Sequence, residues 1–191
     1  MSEDEELLPA KPPLPRPPHE MAVGYVKEAE AYHRAALLVH SSREMVSDVA
    51  LMAPALFLLC HATELALKAY LLSHGADPGA KVGGLKNPAI GHNLVALYGL
   101  AVAQGFKATD DRLADMVEWL GPAHQAHSFR YRELGYRNLP LPVLFAEVLS
   151  STIASIKRTV SMQAMAISRE REDEVLRQLG VARAQMPEDW Q

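Results

Sequence analysis

Apolar residues recur on a helical period along most of this chain, and they nowhere alternate for long enough to make a useful strand. From Ala22 to about Val46, the residues Val23, Val26, Ala29, Ala36, Leu37 and His40 return at helical spacing. Lys27, Glu28, Glu30, Arg34, Arg43 and Glu44 fill the other faces. A second helix is expected over about Met52 to His74. It is apolar on nearly every side, with Gly75 as a C-terminal cap and "ADPGAKVGG" as a breaker. A third follows "IGHN", from about Asn93 to Gln104, and stops at Gly105. Thr109 can cap a fourth, "DDRLADMVEWL", whose Asp110 and Asp111 face the positive end of the helix dipole. "GPAHQAHSFRYRELGYRNLPLP" reads as a short helix and then a structured loop. A fifth long helix begins near Pro142, a good first-turn residue, and runs to about Ile167. The segment "REREDEVLRQLG" has the composition of a further short surface helix.

These elements predict an all-α protein: one bundle of five or six helices over residues 21–168. An acidic, proline-rich arm precedes it over residues 1–20, where six of the thirteen prolines lie between Pro9 and Pro18. A charged tail follows over residues 169–191. The 191 residues are 49% apolar, enough for a substantial core. A net charge of −4 with the two signs interspersed argues against the broad basic surface of a general nucleic-acid binder. The single cysteine, Cys60, leaves no disulfide framework and no thiolate zinc site. The start of the chain is acidic, unlike a signal peptide, and the longest apolar run, Val49 to Cys60, is too short to span a membrane. The expectation is a cytoplasmic protein with no membrane contact.

One stripe stands out. In "LLCHATELALKAYLLSHG", the residues His61, Glu64 and Lys68 fall within roughly 60° of one another on an otherwise apolar helix. A glutamate in such surroundings is costly unless a cation partners it, and Lys68 stands one turn onward in the favourable order. Two readings are open. The stripe faces solvent through a gap between neighbouring helices, or it forms one wall of a polar pocket. In the second case His92 of "GHN" and the arginines of "FRYRELGYR" (Arg130, Arg132 and Arg137, set among Tyr131 and Tyr136) supply the opposite wall. Guanidinium groups beside phenol rings suit phosphate or nucleobase binding. They are equally suited to tying a loop to a buried carboxylate.

In this order, "HATELALKAYLLSHG", "GHNLVALYGLA" and "FRYRELG" resemble the HEPN (higher eukaryotes and prokaryotes nucleotide-binding) superfamily, over about Tyr25 to Ala166. The resemblance implies a bundle of four to five helices, usually dimeric. It also implies a link to RNA cleavage, nucleotide binding or toxin–antitoxin and defence systems, with a nucleotidyltransferase-like protein as one partner. The chain departs from the superfamily's ribonucleases, which carry an arginine followed four to six residues later by histidine, late in the bundle. The last histidine here is His127, ahead of Arg130. Arg34 and His40 have the spacing but lie in the first helix, about 120° apart.

The expected function is therefore a non-catalytic bundle that binds a nucleotide, RNA or a partner protein through His61, Glu64, Lys68, His92, Arg130 and Arg132. One rival is a ribonuclease toxin in which Arg130 and Tyr136 replace the missing pair, since such cleavage needs an acid or base near neutral pH. Another is a purely structural or interaction protein. No cofactor and no metal site are expected: His124 and His127, three residues apart, have no acid at helical spacing ahead of them. The glycines of "KVGGLKN" lack the context of a phosphate loop, and no serine sits in a nucleophile elbow. Ala35, Leu38 and Val39 early in the chain, with Met162, Met165 and Ile167 late in it, are more apolar surface than a monomer covers easily. A homodimer is expected.

Overall fold

The computed structural model describes residues 17–42, 51–76, 85, 88–130 and 138–178. Among these every regular element is a helix: α1 (Pro18–Ser41), α2 (Met52–Ser73), the single turn α3 (Pro88–Gly91), α4 (Leu94–Ala103), α5 (Arg112–Gln125) and α6 (Pro142–Gln178). The expected all-α bundle is what forms. Residues 1–16, the breaker at 77–84, the segment 131–137 with Tyr131, Arg132, Tyr136 and Arg137, and the end of the tail lie outside the described residues.

Helix α2 is the centre. From Ala55 onward almost every residue is buried, including Leu56, Leu59, Leu67, Leu71 and Leu72. It packs against α1 most extensively, then against α6 and α4. It is long and apolar enough to cross a membrane by composition, but here most of it is enclosed by its neighbours. Gly75, at φ +86°, closes it: the Ala76 N–H reaches back to the Leu71 carbonyl at 3.0 Å, a reversal that a left-handed residue makes possible. Helix α1 is tied to α6 by His33, whose Nε2 donates to the Ala146 carbonyl at 2.8 Å, and by the exposed Lys157–Glu30 pair at 2.7 Å.

Four boundaries differ from the sequence expectation, each for a local reason. Helix α1 starts at Pro18, inside the arm expected over 1–20, because proline at the first helical position loses no hydrogen bond. The N-cap of α5 is Asp111 rather than Thr109 and makes no side-chain cap bond; the preceding Asp110 accepts the Arg112 N–H at 3.0 Å and also grips that residue's guanidinium at 2.6 Å. Helix α5 runs straight through Gly121 and Pro122 to Gln125, where a break was expected. Gly121 allows a close approach there, since a Cβ would stand 3.0 Å from the Val95 side chain of α4. Helix α6 spans 37 residues without interruption, so the separate tail helix expected after Ile167 is its continuation. No glycine or proline stands in that stretch to stop it. Beyond Val160 none of its residues is buried.

Candidate functional site

The glutamate of the stripe is buried, with only 1% of its surface exposed. Its carboxylate gathers groups from three separate segments. Oε1 accepts a hydrogen bond from Lys68 Nζ at 2.6 Å, one turn along α2. Oε2 accepts from His124 Nε2 at 2.9 Å, delivered by α5, and from His92 Nδ1 at 3.1 Å, which sits between α3 and α4. His61 Nδ1 stands 3.8 Å from the same oxygen, too far for a hydrogen bond. An ionised carboxylate has no proton to give, so His124 must bear its proton on Nε2 and His92 on Nδ1.

Local sequence explains each placement. His61, Glu64 and Lys68 share one face of α2 through their spacing. His92 is fixed by the start of α4, where Asn93 Oδ1 accepts the Ala96 N–H at 3.0 Å and holds the preceding residue at the helix mouth. His124 continues the buried stripe of α5, Leu113, Val117 and Leu120. That stripe puts an imidazole on an apolar face and calls for a distant partner. The sequence carried this signal, and the break expected at Gly121 concealed it.

Aromatic rings join the network to its rim. Phe57 stacks parallel to His61 with centroids 6.0 Å apart and lies 6.1 Å from His124. Tyr32 of α1 meets His61 edge-on at 4.5 Å. The Arg130 guanidinium lies 4.9 Å over the Phe57 ring, so this arginine reaches the cluster through an aromatic face rather than through Glu64. Helix α5 ends with the Ser128 N–H bonded to the Ala123 carbonyl at 2.9 Å, and His127 takes the left-handed conformation (φ 57°) that this turn requires. The His127 ring then meets His92 at 5.7 Å. Of the residues expected to form a site, His61, Lys68 and His92 surround the Glu64 carboxylate and Arg130 flanks them. Arg132 and Tyr136 lie outside the described residues.

Burial alone pushes the Glu64 carboxyl up. The hydrogen bonds from His124 and Lys68, the nearby His61 and the Lys68 charge more than reverse this, and hold it well below the usual carboxylate range. The neighbouring Cys60 thiol is pushed far up by its burial and by the Glu64 charge, so it is not a nucleophile.

Two outcomes are expected. Glu64→Ala leaves Lys68 buried without its counter-charge, at a cost of about 3–5 kcal/mol. At about 2–4 °C per kcal/mol, the melting temperature falls by roughly 10 °C or more in a calorimetric scan. A variant that melts with the parent contradicts a structural role for the carboxylate. The second outcome concerns acid. Because the folded pKa lies below the value of about 4.3 for an unfolded glutamate, the stability from Glu64 is complete above that pH and is lost as pH falls toward the folded value. Melting temperature therefore drops more steeply below about pH 5 in the parent than in Glu64→Gln, and parallel curves would sink the assignment.

The chain matches no family model, no curated protein and no solved structure. What the cluster does rests on its own geometry.

Proposed function

We propose that this chain is a HEPN-like, cytoplasmic helical bundle that binds a phosphate-bearing ligand, a nucleotide or an RNA end, without cutting it. The observation that carries the reading is the position of Arg130. Its guanidinium lies over Phe57, and that ring also packs on His61 and His124, so an exposed cation is anchored to the rigid centre of the bundle. Stacking on an aromatic face leaves the N–H edge of a guanidinium available for phosphate oxygens. His92 stands in the same cluster with 47% of its side chain exposed and its Nδ1 held by Glu64. The Glu64 charge is matched by Lys68 and sealed from solvent, so it orients the imidazole without confronting an incoming phosphate. In its cationic form this ring donates from the exposed Nε2 as well, and donors positioned in this way lower the ordering cost of binding.

The test is calorimetric titration of the full chain with nucleoside mono- and triphosphates and with short 5′- and 3′-phosphorylated RNAs. Arg130→Ala and His92→Ala should each weaken binding about tenfold or more, as expected for a lost charge-assisted contact of roughly 1.5–3 kcal/mol, with melting temperatures close to the parent. RNA should remain intact over hours, and expression should not harm the host. Absence of binding to every probe defeats the reading.

One observation favours a second reading. A carboxylate bonded to a half-exposed imidazole is the arrangement that orients a general acid or base, and it gives the ribonuclease rival a proton carrier in His92. RNA cleavage abolished by His92→Ala and Arg130→Ala would establish that activity in place of simple binding.

The proposal includes a homodimer, with a nucleotidyltransferase-like protein in a toxin–antitoxin or defence setting as a further partner. Leu38 is 72% exposed on α1, and Met162 and Met165 are more than half exposed on the part of α6 that leaves the core. A symmetric pairing of these helices would cover them. Light scattering at micromolar concentration should return about twice the mass of one chain, and Leu38→Glu combined with Met162→Glu should return one. A parent that scatters as a monomer removes the dimer from the proposal.

A further inference from the structure

Glu64 and the three histidines around its Oε2 have the composition of a transition-metal site. His61, Glu64 and His124 each offer a donor atom within 4.8 Å of the others. His92 stands outside that trio, but its Nδ1 lies 3.1 Å from the same Oε2, which makes it the fourth candidate. A tetrahedral ion with bonds of about 2.0–2.1 Å sets its ligand atoms roughly 3.3 Å apart. The three imidazole nitrogens stand 2.9, 3.1 and 3.8 Å from the carboxylate oxygen, on either side of that spacing.

A hydrogen-bonded network explains two of these contacts and leaves the third over. His61 Nδ1 is buried, faces Oε2 and has no hydrogen-bond partner among the described residues. A buried ring nitrogen without a partner, 3.8 Å from a carboxylate oxygen, is a donor atom that the hydrogen-bonded network does not account for. Lys68 does not occupy the same place, since it holds the other oxygen, Oε1. It leaves Oε2 free to bind one metal in monodentate fashion while fixing the carboxylate from behind, as outer partners of metal ligands do.

We propose that His61, Glu64, His92 and His124 form a binding site for one divalent transition-metal ion, zinc by preference. Three imidazoles with one carboxylate suit zinc and cobalt, whereas magnesium and calcium favour oxygen ligands. The ligands come from α2, from the α3–α4 junction and from α5, so an ion there clips three segments together. On binding, the protons now on His92 Nδ1 and His124 Nε2 are given up to water and the opposite ring nitrogens take one up, which frees the donating nitrogens' lone pairs for the metal. For His92 that leaves a fixed N–H donor on Nε2. The inference does not depend on nucleotide binding, because the probes are metal ions alone.

The experiment uses the full chain, stripped with chelator and returned to phosphate-free buffer. Titration with Co²⁺ should develop the intense visible bands of a tetrahedral site, saturating at one ion per chain, and Zn²⁺ should bleach them. Zinc at about a hundredfold excess over its Kd should raise the melting temperature by roughly 5 °C or more. His92→Ala, at the half-exposed edge of the site, should keep the fold and lose about tenfold or more in cobalt affinity. Glu64→Gln should lose the bands. His74→Ala, at the far end of α2, should titrate like the parent. Absence of both the visible bands and the melting shift overturns the proposal, as does cobalt affinity unchanged in His92→Ala. Should Glu64→Gln fail to fold, the comparison of His92→Ala with His74→Ala decides alone.

Discussion

A carboxylate placed among leucines has to be compensated where it stands, because water is not there to do so. Glu64 meets that demand with Lys68 on one oxygen and two imidazoles on the other. The requirement reaches far along the chain. The entry into α4 must present His92, α5 must pass its glycine and proline without breaking, and its last turn must deliver His124. Each of these segments would tolerate other geometries if only apolar contacts held it. The charge narrows the choice, since each imidazole adds a donor to an ion that water does not reach. Polar clusters of this kind specify one packing among several that hydrophobic burial alone would allow.

The same arrangement divides the labour between core and surface. The carboxylate is inaccessible, yet its partners lead outward: His92 is half exposed, and Phe57 supports Arg130 at the surface. Groups that a ligand could touch are thus held by groups that it could not. Rigidity of this sort is expected where positioned donors matter more than adaptable ones. It also explains why the clefts elsewhere are less informative. One of about 410 Å³ runs between α1 and α6, but its Glu30 and Lys157 already pair with one another.

The helical class and the central helix were legible because α2 is apolar over its whole length and the apolar residues of α1 and α5 repeat near 3.6 residues. The Glu64–Lys68 pair was legible too, since both residues lie on one helix and spacing alone brings them together. His92 could be named as a companion but not placed, because nothing local records the fold of α4 back onto α2. His124 was passed over for a clearer reason. Gly121 and Pro122 read as a stop, and only the close approach of α4 explains a glycine there within a continuous helix. The end of α6 shows the converse: without a breaker, local propensity carried the helix past the last buried residue. Long-range pairing was the missing information for His92 and His124, whereas the start of α1 and the end of α6 turn on local propensity alone.

His127 holds a left-handed backbone conformation, at which a side chain is a burden and glycine the easy choice. The imidazole at that position lies against His92 at the mouth of the cluster. Backbone strain and side-chain chemistry therefore coincide at one residue. Glycine would hold the same turn without that cost. The turn after α5 instead gives up conformational ease to keep a ring there, so the rim of the cluster is the part of this bundle least explained by folding alone.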